Sequence, residues 1–228
     1  MKSSASIVVV AENGFSKITE MISQPPLTFR ETTDGVMIVN TAAGPIGGDR
    51  LELHIEVQDG ADLILGGVAA SMALPGAPGT GHSKLDISIK LGENSKLVWK
   101  PQPMILASGS HHQQLITISA HSSSQFIYGD TFQFGRHEEE TGRIEQHLSV
   151  RINNVEFLRQ STDINPHDDW KEALSLQNAR NFTSYITYRI EIENSDDFTE
   201  FNLENGIKAF QVIGKQSEPR VAVKAKSH

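Results

Sequence analysis

Period-two alternation of apolar and polar residues runs through most of this 228-residue chain and restricts its fold more than any other feature. Leu51, Leu53, Ile55 and Val57 alternate with Glu52, His54 and Glu56, and Leu85, Ile87, Ile89 and Leu91 with Asp86, Ser88 and Lys90. Ile144, Leu148, Val150 and Ile152 continue the pattern, with Gln146 breaking the apolar series, and Phe182, Ile186, Tyr188, Ile190 and Ile192 repeat it. Successive side chains of a strand point to opposite faces, so each stretch predicts a strand with one buried and one wet face. The stretches recur as strand–turn–strand windows. Leu51–Leu65, Leu85–Trp99 and Gln114–Tyr128 align without gaps, at shifts of 34 and then 29 residues. Their turns, Asp59-Gly60, Glu93-Asn94 and Ser122-Ser123, fall at the same place, and a tighter turn at Asn153-Asn154 suits a two-residue hairpin with positive φ. The pattern predicts a mostly β fold of stacked β-hairpins, β-helix-like or sandwich-like. One or two short helices are expected, at His167–Ala179, where Trp170, Ala173, Leu174 and Gln177 fall at helical spacing, and at Asp196–Asn205. No linker interrupts the chain, which reads as one domain over residues 1–228, with Pro75–Gly81 as its loosest loop.

The composition narrows the chemistry. A formal charge of −8 argues against a nucleic-acid surface, which needs clustered Lys and Arg. The absence of cysteine removes thiol nucleophiles and zinc–thiolate sites. The apolar run Ile7–Val10 is too short for the core of a signal peptide or a membrane span, so a cytoplasmic protein is expected. The glycine-rich Gly44-Pro45-Ile46-Gly47-Gly48-Asp49 lacks the Gly-Lys-Ser/Thr ending of a phosphate loop and leads into a strand. Gly109-Ser110-His111 offers no nucleophile elbow. His111 and His112 are neighbours on a predicted strand and face opposite ways, and His54, His82, His121 and His147 fall on polar faces or loops, so no closed metal site can be written from spacing.

Three local features remain. Gly47-Gly48 permits close backbone approach before a strand whose edge carries Asp49; the carboxylate either caps the turn or pairs with an arginine, or lines an interior polar path. Pro101-Gln102-Pro103 stops strand pairing and makes a corner. Gly135-Arg136 ends a strand, with Arg136 as an ion-pair anchor or a partner contact.

Taken in order, Gly44–Asp49, the strand Leu51–Val57, the Asp59-Gly60-Ala61 turn, Pro101-Gln102-Pro103 and Gly135-Arg136 resemble the UreD (UreH) family of urease accessory proteins, most clearly over Val36–Thr162. The resemblance implies an all-β, β-helix-like fold and no enzymatic activity. It implies a scaffold that binds urease apoprotein and, with UreF and the GTPase UreG, supports nickel insertion, the metal passing through a water-filled tunnel. No tightly bound cofactor is implied, only nickel in transit, and Asp49 matches the aspartate expected on that path. Three places differ from the family pattern: Gly66–Leu74 lacks its polar groups, Gln160 and Ser161 stand where a glutamate–arginine pair is usual, and Gln211 stands for an arginine. Two other readings compete. A β-helix enzyme acting on polysaccharide needs paired carboxylates, and Glu138-Glu139-Glu140 is the sole acidic run. A metal-independent interaction module needs no site at all.

Overall fold

A computed structural model describes residues 1–100, 102–165, 179–193, 198–203, 206–214 and 220–221. In chain order the strands are β1 (Lys2–Glu12), β2 (Phe15–Ile22), β3 (Leu27–Thr32), β4 (Gly35–Asn40), β5 (Arg50–Val57), β6 (Asp62–Gly67), β7 (Ser71–Ala73), β8 (Ser83–Leu91), β9 (Lys96–Lys100) and β10 (Met104–Leu106). They continue as β11 (His111–Ala120), β12 (Gln125–Phe134), β13 (Arg143–Ile152), β14 (Val155–Ile164), β15 (Asn181–Tyr188), β16 (Ile192–Glu193), β17 (Thr199–Asn202), β18 (Ile207–Ile213) and β19 (Arg220–Val221).

Two sheets face each other. Sheet A runs β14-β13-β11-β8-β5-β1-β2, and sheet B runs β17-β18-β15-β12-β9-β6-β4-β3. The pairs β1–β5, β5–β8, β8–β11 and β11–β13 are parallel, as are β4–β6, β6–β9 and β9–β12. Each coil runs up sheet A, arches into sheet B, and returns through a loop: a short β-solenoid. Antiparallel hairpins close both ends of sheet A, β1–β2 and β13–β14.

The expected stacking is present, and the windows stack in the register in which they align. Leu51 pairs with Leu85, and Leu85 with Gln114; Asp62 pairs with Lys96, and Lys96 with Gln125. The two strands of a window do not pair with each other as in a hairpin. They enter opposite sheets, because the alternating apolar face of each must meet another such face across the core. Asn153-Asn154 does make a hairpin, with φ of 48° and 65°. The stacked turns bond one another: Glu93 N–H donates to Asp59 Oδ1 (2.7 Å), Asn94 N–H to Ser123 Oγ (2.9 Å) and Ser122 N–H to Asn153 Oδ1 (3.0 Å). Gly92 is required here, since a Cβ would lie 2.7 Å from the backbone nitrogen of Asp59.

The expected helix at Asp196–Asn205 is corrected: its described part contains β17, which pairs with β18. Phe201 and Leu203 alternate with Asn202 there, a strand period that the acidic residues before it obscured. His167–Ala179 lies outside the described residues except for Ala179. Among the described residues no helix is long and apolar enough to cross a membrane.

Candidate functional site

Sheet A builds the core in rungs. Ile7, Ile55, Ile89, Ile118 and Val150 form one, and Ala5, Leu53, Ile87, Ile116 and Leu148 the next toward the return loops. All ten belong to the large apolar cluster. The following rung is Ser3, Leu51, Leu85, Gln114 and Gln146, which turns polar as it crosses the sheet. Beyond it lies a second cluster containing Met104, Leu106, Phe132, Phe134 and Ile144. A polar layer therefore separates two apolar clusters.

Sheet B answers that layer with a carboxylate. Asp130 is buried on β12, between Tyr128 and Phe132. Tyr128 Oη donates to its Oδ2 at 2.6 Å and Gln146 Nε2 to the same oxygen at 2.7 Å; Gln146 Nε2 also donates to Gln114 Oε1 at 3.0 Å. Burial pushes the Asp130 carboxyl up to about 7, against both hydrogen bonds, which favour its ionised form. The same burial, then the Asp130 charge, push the Tyr128 phenol well up.

Asp130 and Gln114 border a slot of about 100 Å³ inside the sandwich, lined also by Thr131, Leu51, Leu85 and Trp99. Asn40, Pro45, Gly66, Gly67, Ser71 and Gln102 are among the other lining residues. The volume suits a few waters or a small ion, since one water occupies about 30 Å³ of liquid. It is below the roughly 300 Å³ typical of organic-ligand pockets.

One rung further, His112 is fully buried, its Nδ1 2.8 Å from Ser83 Oγ, while its Nε2 has no hydrogen-bond partner among the described residues. Burial pulls its pKa down to about 3, so the ring is neutral at pH 7. Ser110 Oγ is likewise buried without a hydrogen-bond partner among the described residues. His111 faces outward, as expected from its parity, with Nε2 2.9 Å from Glu145 Oε1.

Asp49 sits beside the slot. Its carboxylate is buried; Oδ1 lies 2.6 Å from the Met1 ammonium and Oδ2 accepts the Ile46 N–H at 2.9 Å. It thus caps the turn that carries Pro45, a slot residue. The glycines before it are packed against the facing loop, for a Cβ on Gly47 would lie 2.5 Å from the Gly76 nitrogen. Arg50 turns away, donating to the Asp49 and His82 carbonyls. Arg136 pairs with Glu139 through two bonds of 2.7 Å, which hold the Glu139 carboxyl down to about 2. Of the altered family positions, Ser161 bonds His147 and Gln211 pairs with Ser184, while Gly66–Leu74 forms an uncharged rim to the slot. Among the described residues no group of three His, Cys, Asp or Glu could hold a metal ion.

Sequence reasoning passed over Asp130, yet its parity was visible. Phe126, Tyr128, Phe132 and Phe134 share the inward face of β12, so a carboxylate in their series must be buried.

Comparison with known proteins gives a consistent result. Residues 2–216 match the family described as UreD urease accessory protein. The chain is 31% identical over 163 residues to Urease accessory protein UreD 2 of Saccharopolyspora erythraea, an alignment that covers 69% of this chain and 57% of that one. It is 31% identical over 140 residues to Urease accessory protein UreD of Streptomyces coelicolor, covering 59% and 55%, and 28% identical over 187 residues to that of Streptomyces avermitilis, covering 79% and 74%. The chain thus spans little more than half the length of the first two relatives and about three quarters of the third.

Proposed function

The chain belongs to the UreD urease accessory protein family, and we propose that it is a non-catalytic cytoplasmic scaffold that binds urease apoprotein and, with UreF-like and UreG-like partners, passes nickel toward the urease active site. Asp130 carries this reading: a buried carboxylate in a slot too small for an organic substrate and large enough for an ion. Nickel as cargo accepts oxygen and nitrogen ligands. One carboxylate with amide neighbours forms an open, weak set, which lets an ion leave as readily as it enters. Burial of a carboxylate costs stability even where neutral donors reach it, and a fold retains such a group at a functional site.

The Gly44–Asp49 loop fits as one wall of the slot. Asp49, which the family resemblance sets on the path, we assign to holding that wall through the Ile46 N–H. Asp49→Ala is then expected to lower nickel loading through the loop.

The test is co-expression with a urease and its other accessory proteins. Asp130→Asn and Asp130→Ala should each lower the nickel content and activity of the urease while the accessory complex still co-purifies. Full nickel loading by Asp130→Ala would overturn the reading.

A further inference from the structure

Sheet A ends at β2, which among the described residues pairs with β1 and no other strand, and whose residues are all exposed except Ile18. Its large apolar side chains are open to solvent: Phe15 at 78%, Ile22 at 53% and Met21 at 41%. The pairing with β1 contains a bulge. Val8 opposes Glu20 but Val9 opposes Ile18, so Thr19 is the extra residue. A bulge shifts the alternation by one. Glu20 and Ile22 therefore share the outward face with Lys17 and Phe15, opposite Val8, Ser6, Val10 and Glu12. Ser16, Ile18 and Met21 follow Ala11, Val9 and Ile7 on the other face.

That arrangement is self-complementary. Set against a second copy about a two-fold axis normal to the sheet, β2 runs antiparallel to itself. One register opposes Phe15 to Ile22, Ser16 to Met21, and Lys17 to Glu20. The axis keeps each face on its own side, so opposed residues must share a face. Without the bulge these pairs would not; with it, all three do. Each pair then occurs twice, giving two apolar and two opposite-charge contacts around one centre. Edge strands often carry lysines or bulges that discourage pairing. Here the bulge instead brings lysine, glutamate and the apolar ends onto one face.

We propose that this edge is an isologous interface between two copies of this chain, joining their seven-stranded sheets into one continuous sheet. Lys17 now lies 2.6 Å from Glu12, and Glu20 accepts from Ser6 Oγ at 2.9 Å. Both contacts are exposed and weak, so exchanging them for cross-copy partners costs little.

Light scattering on the full chain over a range of concentrations tests this. The expected mass is twice the 25.1 kDa of one chain. Lys17→Glu and Glu20→Lys each place like charges opposite one another at two points and should weaken the dimer about tenfold. The double exchange Lys17→Glu/Glu20→Lys should restore it, and Phe15→Ser should weaken it without rescue. Unchanged circular dichroism confirms that these exposed substitutions leave the fold intact. A single-chain mass at every concentration, or a double variant as weak as either single one, overturns the proposal.

Discussion

At the arch end of each coil the rung Ile7, Ile55, Ile89, Ile118 and Val150 is aliphatic throughout; at the return-loop end the rung Ser3, Leu51, Leu85, Gln114 and Gln146 gives way to amides. The same strands build both ends. The arches are short and bond one another turn by turn, whereas the return loops are longer and leave a slot of about 100 Å³. Rungs that repeat the same residue type pack without gaps. The coil can therefore bury a carboxylate near its loops because the arch end holds the stack in register.

Removing one rung member should break that division of labour most severely. Ile89 is fully buried between Ile55 and Ile118. Ile89→Ala is expected to cost about 2–5 kcal/mol, from lost transfer free energy plus the cavity left behind. Urea titration of the purified chain measures it; a cost under about 1 kcal/mol would show that the arch end does not carry the stability.

The polar layer should respond in the opposite sense, and with pH. Asp130 has a folded pKa of about 7, above the ordinary carboxylate value near 3.9 in an unfolded chain. The folded state therefore holds a proton that the unfolded chain releases between about pH 4 and pH 7. Stability falls as pH rises through that window, with at most the slope of one proton, and levels off above about pH 7. Asp130→Asn cannot ionise, so its advantage over wild type should be absent near pH 4, open across the window, and stay constant beyond it. Denaturation at pH 4, 6 and 8 checks this. An advantage equal at all three would mean that the carboxyl is not held protonated by burial.

How much of this division was legible in the sequence differs between the two ends. The gapless alignment of Leu51–Leu65, Leu85–Trp99 and Gln114–Tyr128 contained the stacking register itself, since identical coils repeat both their apolar positions and their turns. What alternation cannot reveal is the partner of a strand. A hairpin and an arch present the same apolar–turn–apolar string, and only packing across the core separates them. At the polar end Gln146 stood out as an exception on its strand, but an exception in one series has no meaning until its neighbour across the core is known. That neighbour, Asp130, sits on the opposite sheet. Asp49 stands out in the sequence because two glycines precede it, a backbone feature that here serves loop packing.

A smaller effect sharpens the role of the amides. Gln146 Nε2 donates to both Asp130 and Gln114. Gln146→Leu keeps much of the volume and strips both acceptors of that donor, so a cost of about 1–3 kcal/mol is expected. If Asp130 is protonated at low pH, one of its lost bonds matters less there, and the cost should be smaller at pH 4 than at pH 8. A pH-independent cost would assign the penalty to Gln114 and packing alone.

The smallest effect falls on the arches. Ser123 Oγ accepts the Asn94 N–H from the neighbouring coil at an exposed turn. Ser123→Ala removes one link of the ladder and should cost about 0.5–1 kcal/mol, because water can replace an exposed partner. Its signature is local rather than global: faster hydrogen exchange at the Asn94 amide, with the Glu93 amide, which donates to Asp59, left unchanged. Faster exchange at both would mean that the arches open as one unit, and that the ladder, not the aliphatic rung beneath it, keeps the coils in register.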